Sequence, residues 1–210
     1  MWVVDGAYVR KNLDEEFSNF GHHYTFACIP KDEIWLDQET DPDEQRFYVH
    51  HATLERRLRG SGEDADAARQ AANRAEQRLR ARSHDLGRLT AGKSLPKPDR
   101  VHLSLWKALS NGVEVWIVKG RLVRSVFDIE FTEGGHEHVY EYIPRGEVWI
   151  DDDVHEEEKG YVLFHELFER NLMAKGLTYD KAHDRASRRE RHLRKHPTEL
   201  HTALAAEGWE

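Results

Sequence analysis

A single cysteine in 210 residues, Cys28, excludes an intramolecular disulfide framework and the small secreted folds that depend on one. Long apolar runs are also missing: no stretch approaches the roughly 20 residues a membrane helix needs, and no signal-peptide pattern is present. These absences leave a cytoplasmic location and no membrane partner as the expectation. Positive charge is in deficit, with 31 Lys and Arg against 39 Asp and Glu, and the net charge of -8 disfavours general polyanion binding. What is present favours folding, because 6 Trp, 7 Tyr and 8 Phe supply large apolar surface although 33% of the residues are charged.

The chain reads nearly the same twice. An offset of 114, which places Trp2 on Trp116, aligns residues 2–80 with 116–194 without a gap. Roughly a third of the pairs are identical, far above chance for this composition. Gly6 falls on Gly120, Arg10 on Arg124, Asp14 on Asp128, Phe17 on Phe131 and Gly21-His22 on Gly135-His136. Further along, Trp35 falls on Trp149, Asp37 on Asp151, His51 on His165, Glu55-Arg56 on Glu169-Arg170, Gly62 on Gly176 and Glu76 on Glu190. The expected fold class is α+β with an internal tandem duplication in a pseudo-twofold arrangement, a pseudo-dimer within one chain. Residues 1–83 form repeat one, 84–115 a linker with a short helix, 116–196 repeat two, and 197–210 a C-terminal helix or tail.

Each half is expected to be an antiparallel β-meander of four or five strands followed by a helical hairpin. WVV-DG-AYV and WIV-KG-RLV read as hairpins around an Xaa-Gly turn. In repeat two, the alternation over 126–131, the run 139–143 and the run 147–151 supply further strands, the last two separated by the turn Pro144-Arg145-Gly146. Helix-period apolar residues then fill 156–175, Gly176 caps that helix, and Thr178 opens a second one that Pro197 stops. Repeat one repeats this with Gly62 as cap and an alanine-rich run over 65–82. The linker contains Gly87, Gly92, Pro96 and Pro98, then a predicted helix over 99–110. Gly21-His22 and Gly135-His136 read as turns, and Trp35 and Trp149 as strand residues of the core.

Chemistry concentrates in GYVLFHELFERNLMAKGLTYDKAHDRASRRE, residues 160–190. On a helix His165 and Glu169, at i and i+4, share a face, with Glu166 beside them. That spacing places two metal ligands and one general base together, and His183 on the following helix supplies a third ligand. Imidazole and carboxylate donors suit zinc first, and iron or manganese where more oxygen ligands join. His136, Asp151 and Asp152 are weaker candidates for a fourth ligand or an outer support. In repeat one Ala52 stands at the position of Glu166 and Arg69 at that of His183, so repeat one reads as a degenerate, non-catalytic copy. The alternative is that His165 and Glu169 brace helices. The basic run Arg185, Arg188, Arg189, Arg191, Arg194 and Lys195, echoed by Arg74, Arg78, Arg80 and Arg82, is a solvated face or a contact for nucleic acid.

HELFER followed by AH resembles the zincin metallohydrolase motif over about 20 residues, with Glu169 where that motif has its second histidine. The resemblance implies a metal-dependent hydrolase, with peptidases the first class to consider, and with Glu166 as base and His165, Glu169 and His183 on the metal. The longer pattern IPRGEVWID, HELFERNLMAKG and YDKAHDRAS resembles an uncharacterised bacterial and phage protein family, which implies extent rather than activity. The competing expectation is a non-catalytic tandem-repeat scaffold for a partner.

Overall fold

The computed structural model describes residues 1–83 and 97–209, so Gly87, Gly92 and Pro96 of the predicted linker lie outside the described residues. These residues form two units, 1–83 with Arg121–Glu130 in the first, and Lys97–Gly120 with 131–209 in the second. Both mix helices with a small sheet. Among the described residues, no helix is long and apolar enough to cross a membrane.

The first unit runs β1 (Trp2–Val4), α1 (Gly6–Asn12), β2 (Phe20–His22), β3 (Ile34–Asp37), α2 (Pro42–Gly60) and α3 (Ala65–Arg82). Its sheet has the order β1-β3-β2, with β1 parallel to β3 and β2 antiparallel to it. The predicted antiparallel meander is therefore corrected to a mixed sheet. The reason lies at the glycine that suggested a hairpin. Asp5 caps α1, its Oδ1 accepting from Tyr8 N at 3.0 Å, so the chain turns into a helix there. Gly6 N donates to Asp37 Oδ1 at 3.2 Å, and a Cβ on Gly6 would fall 1.7 Å from Asp37 Oδ2. Glycine is required by this close approach to a carboxylate rather than by a turn. Parallel pairing of β1 with β3 then follows, because the chain must cross over before it returns.

The second unit contains β4 (His102–Ala108), β5 (Glu114–Val118), β6 (Gly134–His136), β7 (Glu147–Asp151), α5 (Glu156–Ala174), α6 (Tyr179–Lys195) and α7 (Leu200–Ala206). A helix, α4 (Gly120–Val126), follows β5, and residues 121–126 of it belong to the first unit. The sheet order is β4-β5-β7-β6, with only β5 and β7 parallel. Three further predicted segments change here. Residues 126–131 leave α4 through a turn in which Asp128 Oδ1 accepts from Glu130 N at 2.9 Å. Residues 139–143 form turns, with Tyr140 N bonded to His136 O and Ile143 N to Tyr140 O. The predicted helix over 99–110 is a 3-10 turn at Pro98–Arg100 and then strand β4, whose backbone pairs with the free edge of β5.

The helical hairpins form as expected and end alike. Gly62 and Gly176 take φ of 92° and 93°, and Glu63 N reaches Leu58 O as Leu177 N reaches Leu172 O, at 3.0 and 3.2 Å. Thr178 sits at the cap position of α6 without a side-chain cap bond. In the second unit α5 packs Leu163, Leu167 and Phe164 on Val148 and Ile150 of β7 and on Leu193 of α6. Each such fully buried side chain contributes about 1.5–3 kcal/mol. The predicted C-terminal helix is α7, whose Leu204 joins this core.

Candidate functional site

Small residues on the second helix of each hairpin set the site. Ala182 and Ala186 on α6, like Ala68 and Ala72 on α3, are fully buried and let the paired helices approach closely. Long polar side chains on α5 can then reach partners on α6. His165 Nδ1 lies 2.8 Å from Glu190 Oε2, and its Nε2 lies 3.2 Å from His183 Nδ1 and 3.4 Å from Glu169 Oε2. His183 Nδ1 is 2.7 Å from the same Glu169 oxygen. The three predicted ligands thus converge, joined to one another at hydrogen-bond range, and the 2.7 Å between His183 and Glu169 would have to widen toward the roughly 3.4 Å edge of a tetrahedron drawn with 2.1 Å bonds for an ion to sit between them. Glu190 engages the outer nitrogen of His165, which turns Nε2 toward the shared point.

Glu169 is held from its other side by a residue on the sheet. His136, on β6 and fully buried, places Nε2 3.0 Å from Glu169 Oε1. Its Nδ1 accepts the backbone N–H of His138 at 3.2 Å, so in the neutral ring the proton is on Nε2 and is donated to Glu169. Although His136, Glu166 and Glu169 lie close enough to surround an ion, this tautomer takes His136 out of the ligand set. His136 orients the carboxylate instead, and the predicted turn at Gly135-His136 is a strand. Asp151 and Asp152, the other weaker candidates, are engaged elsewhere. Asp152 Oδ1 accepts from Gly120 N at 3.1 Å and Asp151 Oδ1 from Asp153 N at 3.0 Å, which ties both to the β7 end and the start of α4.

Glu166 packs against Gly134 of β6, where an added Cβ would meet its Cγ and Oε1 at 3.0 Å. Burial, with Glu169 adding to it, pushes its carboxyl up to about 7 against the opposing pull of nearby histidines. Burial opposes charge on His165 too, but hydrogen bonds to Glu169 and Glu190 outweigh it and hold the ring well above its ordinary range. Glu169 is lowered, since its bonds to His136, His165 and His183 outweigh burial. A cation held by His165 would have to displace its Nε2 proton, so its binding would strengthen as pH rises.

Beneath the site runs a buried charge ladder that the sequence reading did not assign. Arg194 bonds Glu190 through Nε at 2.8 Å and also Glu158. The first unit carries the equivalent set: His51 Nδ1 to Glu76 at 2.8 Å, His51 Nε2 to Glu55 at 3.4 Å, Arg80 Nε to Glu76 at 2.8 Å, and Arg80 to Glu44 at 2.9 Å. The signal was present in sequence as Glu-x-x-x-Arg at 76–80 and again at 190–194, each preceded by a matched acid, Glu44 and Glu158. Arg80 and Arg194 are therefore interior residues, which removes them from the proposed basic face. Arg188 pairs with Asp184, and Arg189 approaches Glu199 at 3.4 Å.

The ladder makes stability depend on pH from both sides. Burial opposes charge on His51, but bonds to Glu55 and Glu76 raise it from 6.5 to about 9, so its contribution is full below pH 6.5 and disappears as pH rises through 9. Burial likewise opposes charge on Glu55, but bonds to His22 and His51 lower it from 4.5 to about 2, so its contribution is full above 4.5 and disappears as pH falls through 2. The melting temperature is expected to be highest between about pH 4.5 and 6.5 and to fall toward pH 9. His51→Gln should flatten that alkaline fall, and a variant with an unchanged slope would remove His51 from the account.

Comparisons of the chain with protein-family models, with curated proteins and with solved structures found no match.

Proposed function

We propose that the chain is a metal-dependent hydrolase arising from an internal duplication, with one site, in the second unit. The observation that carries this reading is the convergence of His165 Nε2, His183 Nδ1 and Glu169 Oε2 within 2.7–3.4 Å of one another, with outer supports on His165 and Glu169. The donor set fits zinc first, and iron or manganese if further oxygen ligands join. A divalent cation there supplies Lewis acidity toward a carbonyl or similar centre. Glu166, beside the ligand cluster and against Gly134, would take the proton of the attacking water and pass it to the leaving group. Amide and peptide bonds are the first substrate class to examine.

A second reading is favoured by one observation. The His–Glu–Glu–Arg ladder persists in the first unit, where Ala52 and Arg69 replace the base and the third ligand. On that reading these residues brace the hairpins of a non-catalytic scaffold.

Metal content of the protein purified without a histidine tag separates the two. About one equivalent of zinc, iron or manganese, absent from a His165→Ala, His183→Ala double variant, is expected. On a panel of peptide and ester substrates, Glu166→Gln should keep the metal and lower kcat by about 10²–10⁴. No bound metal, together with no rise in melting temperature on adding these ions, would leave the scaffold reading standing alone.

A further inference from the structure

The two units differ most informatively at one position that neither motif nor charge singles out. Phe20 on β2 stands at the sequence position of Gly134 on β6. In the first unit the Phe20 ring stacks on Tyr48 at 5.0 Å and meets the His51 ring edge-on at 5.1 Å. The neighbouring position on α2 is the small, fully buried Ala52. In the second unit the sizes are exchanged: Gly134 has no side chain, and Glu166, at the position of Ala52, occupies the space beside it. Phenylalanine with alanine, or glycine with glutamate, fills the same space. Phenylalanine with glutamate overfills it, because even a Cβ at position 134 would meet Glu166 at 3.0 Å, besides the Trp149 carbonyl oxygen at 3.1 Å.

The frame around this space is common to both units. His51 and His165 each lie 2.8 Å from Glu76 or Glu190 and 3.4 Å from Glu55 or Glu169. The Nδ1 atoms of His22 and His136 each accept the N–H two residues on, at 3.3 and 3.2 Å. Where the second unit has His183, the first has Arg69, turned to Glu130 and Asp66.

We infer that the Gly134–Glu166 pair completes the site of the second unit, and that the first unit keeps the same frame with that space taken by Phe20 and Ala52 and with Arg69 in place of the third ligand. Gly134 is a positioning residue: it seats the Glu166 carboxylate beside the ligand cluster. The inference rests on the metal-site reading, and its test separates the two.

The first arm is a double-mutant cycle read by melting temperature. Gly134→Phe alone should lower it by roughly 5–10 °C through overpacking. Adding Glu166→Ala should recover at least half of the loss, whereas no recovery would overturn the coupling. The second arm moves the site. A background of Glu166→Ala with His183→Arg gives the second unit the first unit's residues at those two positions and should bind no zinc or manganese. Adding Phe20→Gly, Ala52→Glu and Arg69→His should restore one equivalent, lost again with His51→Ala. A folded graft without metal, beside a wild type that binds it, overturns this inference alone. A wild type without metal overturns both this inference and the hydrolase reading, and if the graft does not fold the cycle decides.

Discussion

Arg80→Met is expected to lower the unfolding free energy by roughly 3–5 kcal/mol, the usual cost of removing one partner from a buried ion pair. Arg80 is 1% exposed and bonds both oxygens of Glu44 at 2.9 Å and Glu76 at 2.8 Å. Without it, among the described residues Glu76 keeps His51, and Glu44 keeps Arg124 Nε at 2.8 Å with a longer approach from Arg121. Methionine retains the length of the stem, so the loss reports charge and hydrogen bonding more than volume. Denaturant unfolding followed by circular dichroism measures it. Arg188→Met is the control: its pair with Asp184 lies in solvent, and such pairs contribute about 0–1 kcal/mol. Equal losses in the two variants would refute the ladder as a stability element.

Glu169→Gln should weaken zinc or manganese binding by at least about 100-fold, since even outer-shell changes cost 10–100-fold and this residue supplies a ligand oxygen. It should also lower the His165 pKa, because a carboxylate that holds that ring charged becomes a neutral amide. Calorimetric titration reads the first effect and the histidine proton resonances the second. A bracing role for Glu169 predicts only the second, so unchanged metal affinity in a folded variant would remove Glu169 from the ligand set. Reversal of the His165 shift at fixed metal affinity is therefore the outcome that makes Glu169 a brace of the hairpin rather than a ligand.

The helical hairpins were legible because their signals are local. Apolar residues recur at helical period over 156–174, and Gly62 and Gly176 mark the ends with a conformation that side chains resist. The strands were less legible. A three-residue strand such as β1 or β6 carries too little alternation to set its direction, and partner choice is a long-range matter. Xaa-Gly pairs misled for a physical reason: glycine serves a tight turn and a close approach equally well, and only the position of Asp37 distinguishes them at Gly6. Residues 99–110 misled similarly, since Leu103, Leu105, Trp106 and Leu109 suit either a helix face or a strand laid on β5.

The sequence by itself determined that residues 2–80 and 116–194 match at a constant offset, that helical hairpins close on Gly62 and Gly176, and that His165 and Glu169 share a helix face with Glu166 beside them. Those follow from spacing along a helix and from identity at a constant offset, both of which are one-dimensional properties. Only the tertiary structure decided the rest. It made His136 a donor to Glu169 rather than a ligand, buried Arg80 and Arg194, took Asp151 and Asp152 away to α4, and placed Glu166 against Gly134. Each of these depends on which strand edge and which helix face meet across the core, and that choice is set by packing and hydrogen-bond satisfaction over long sequence distances.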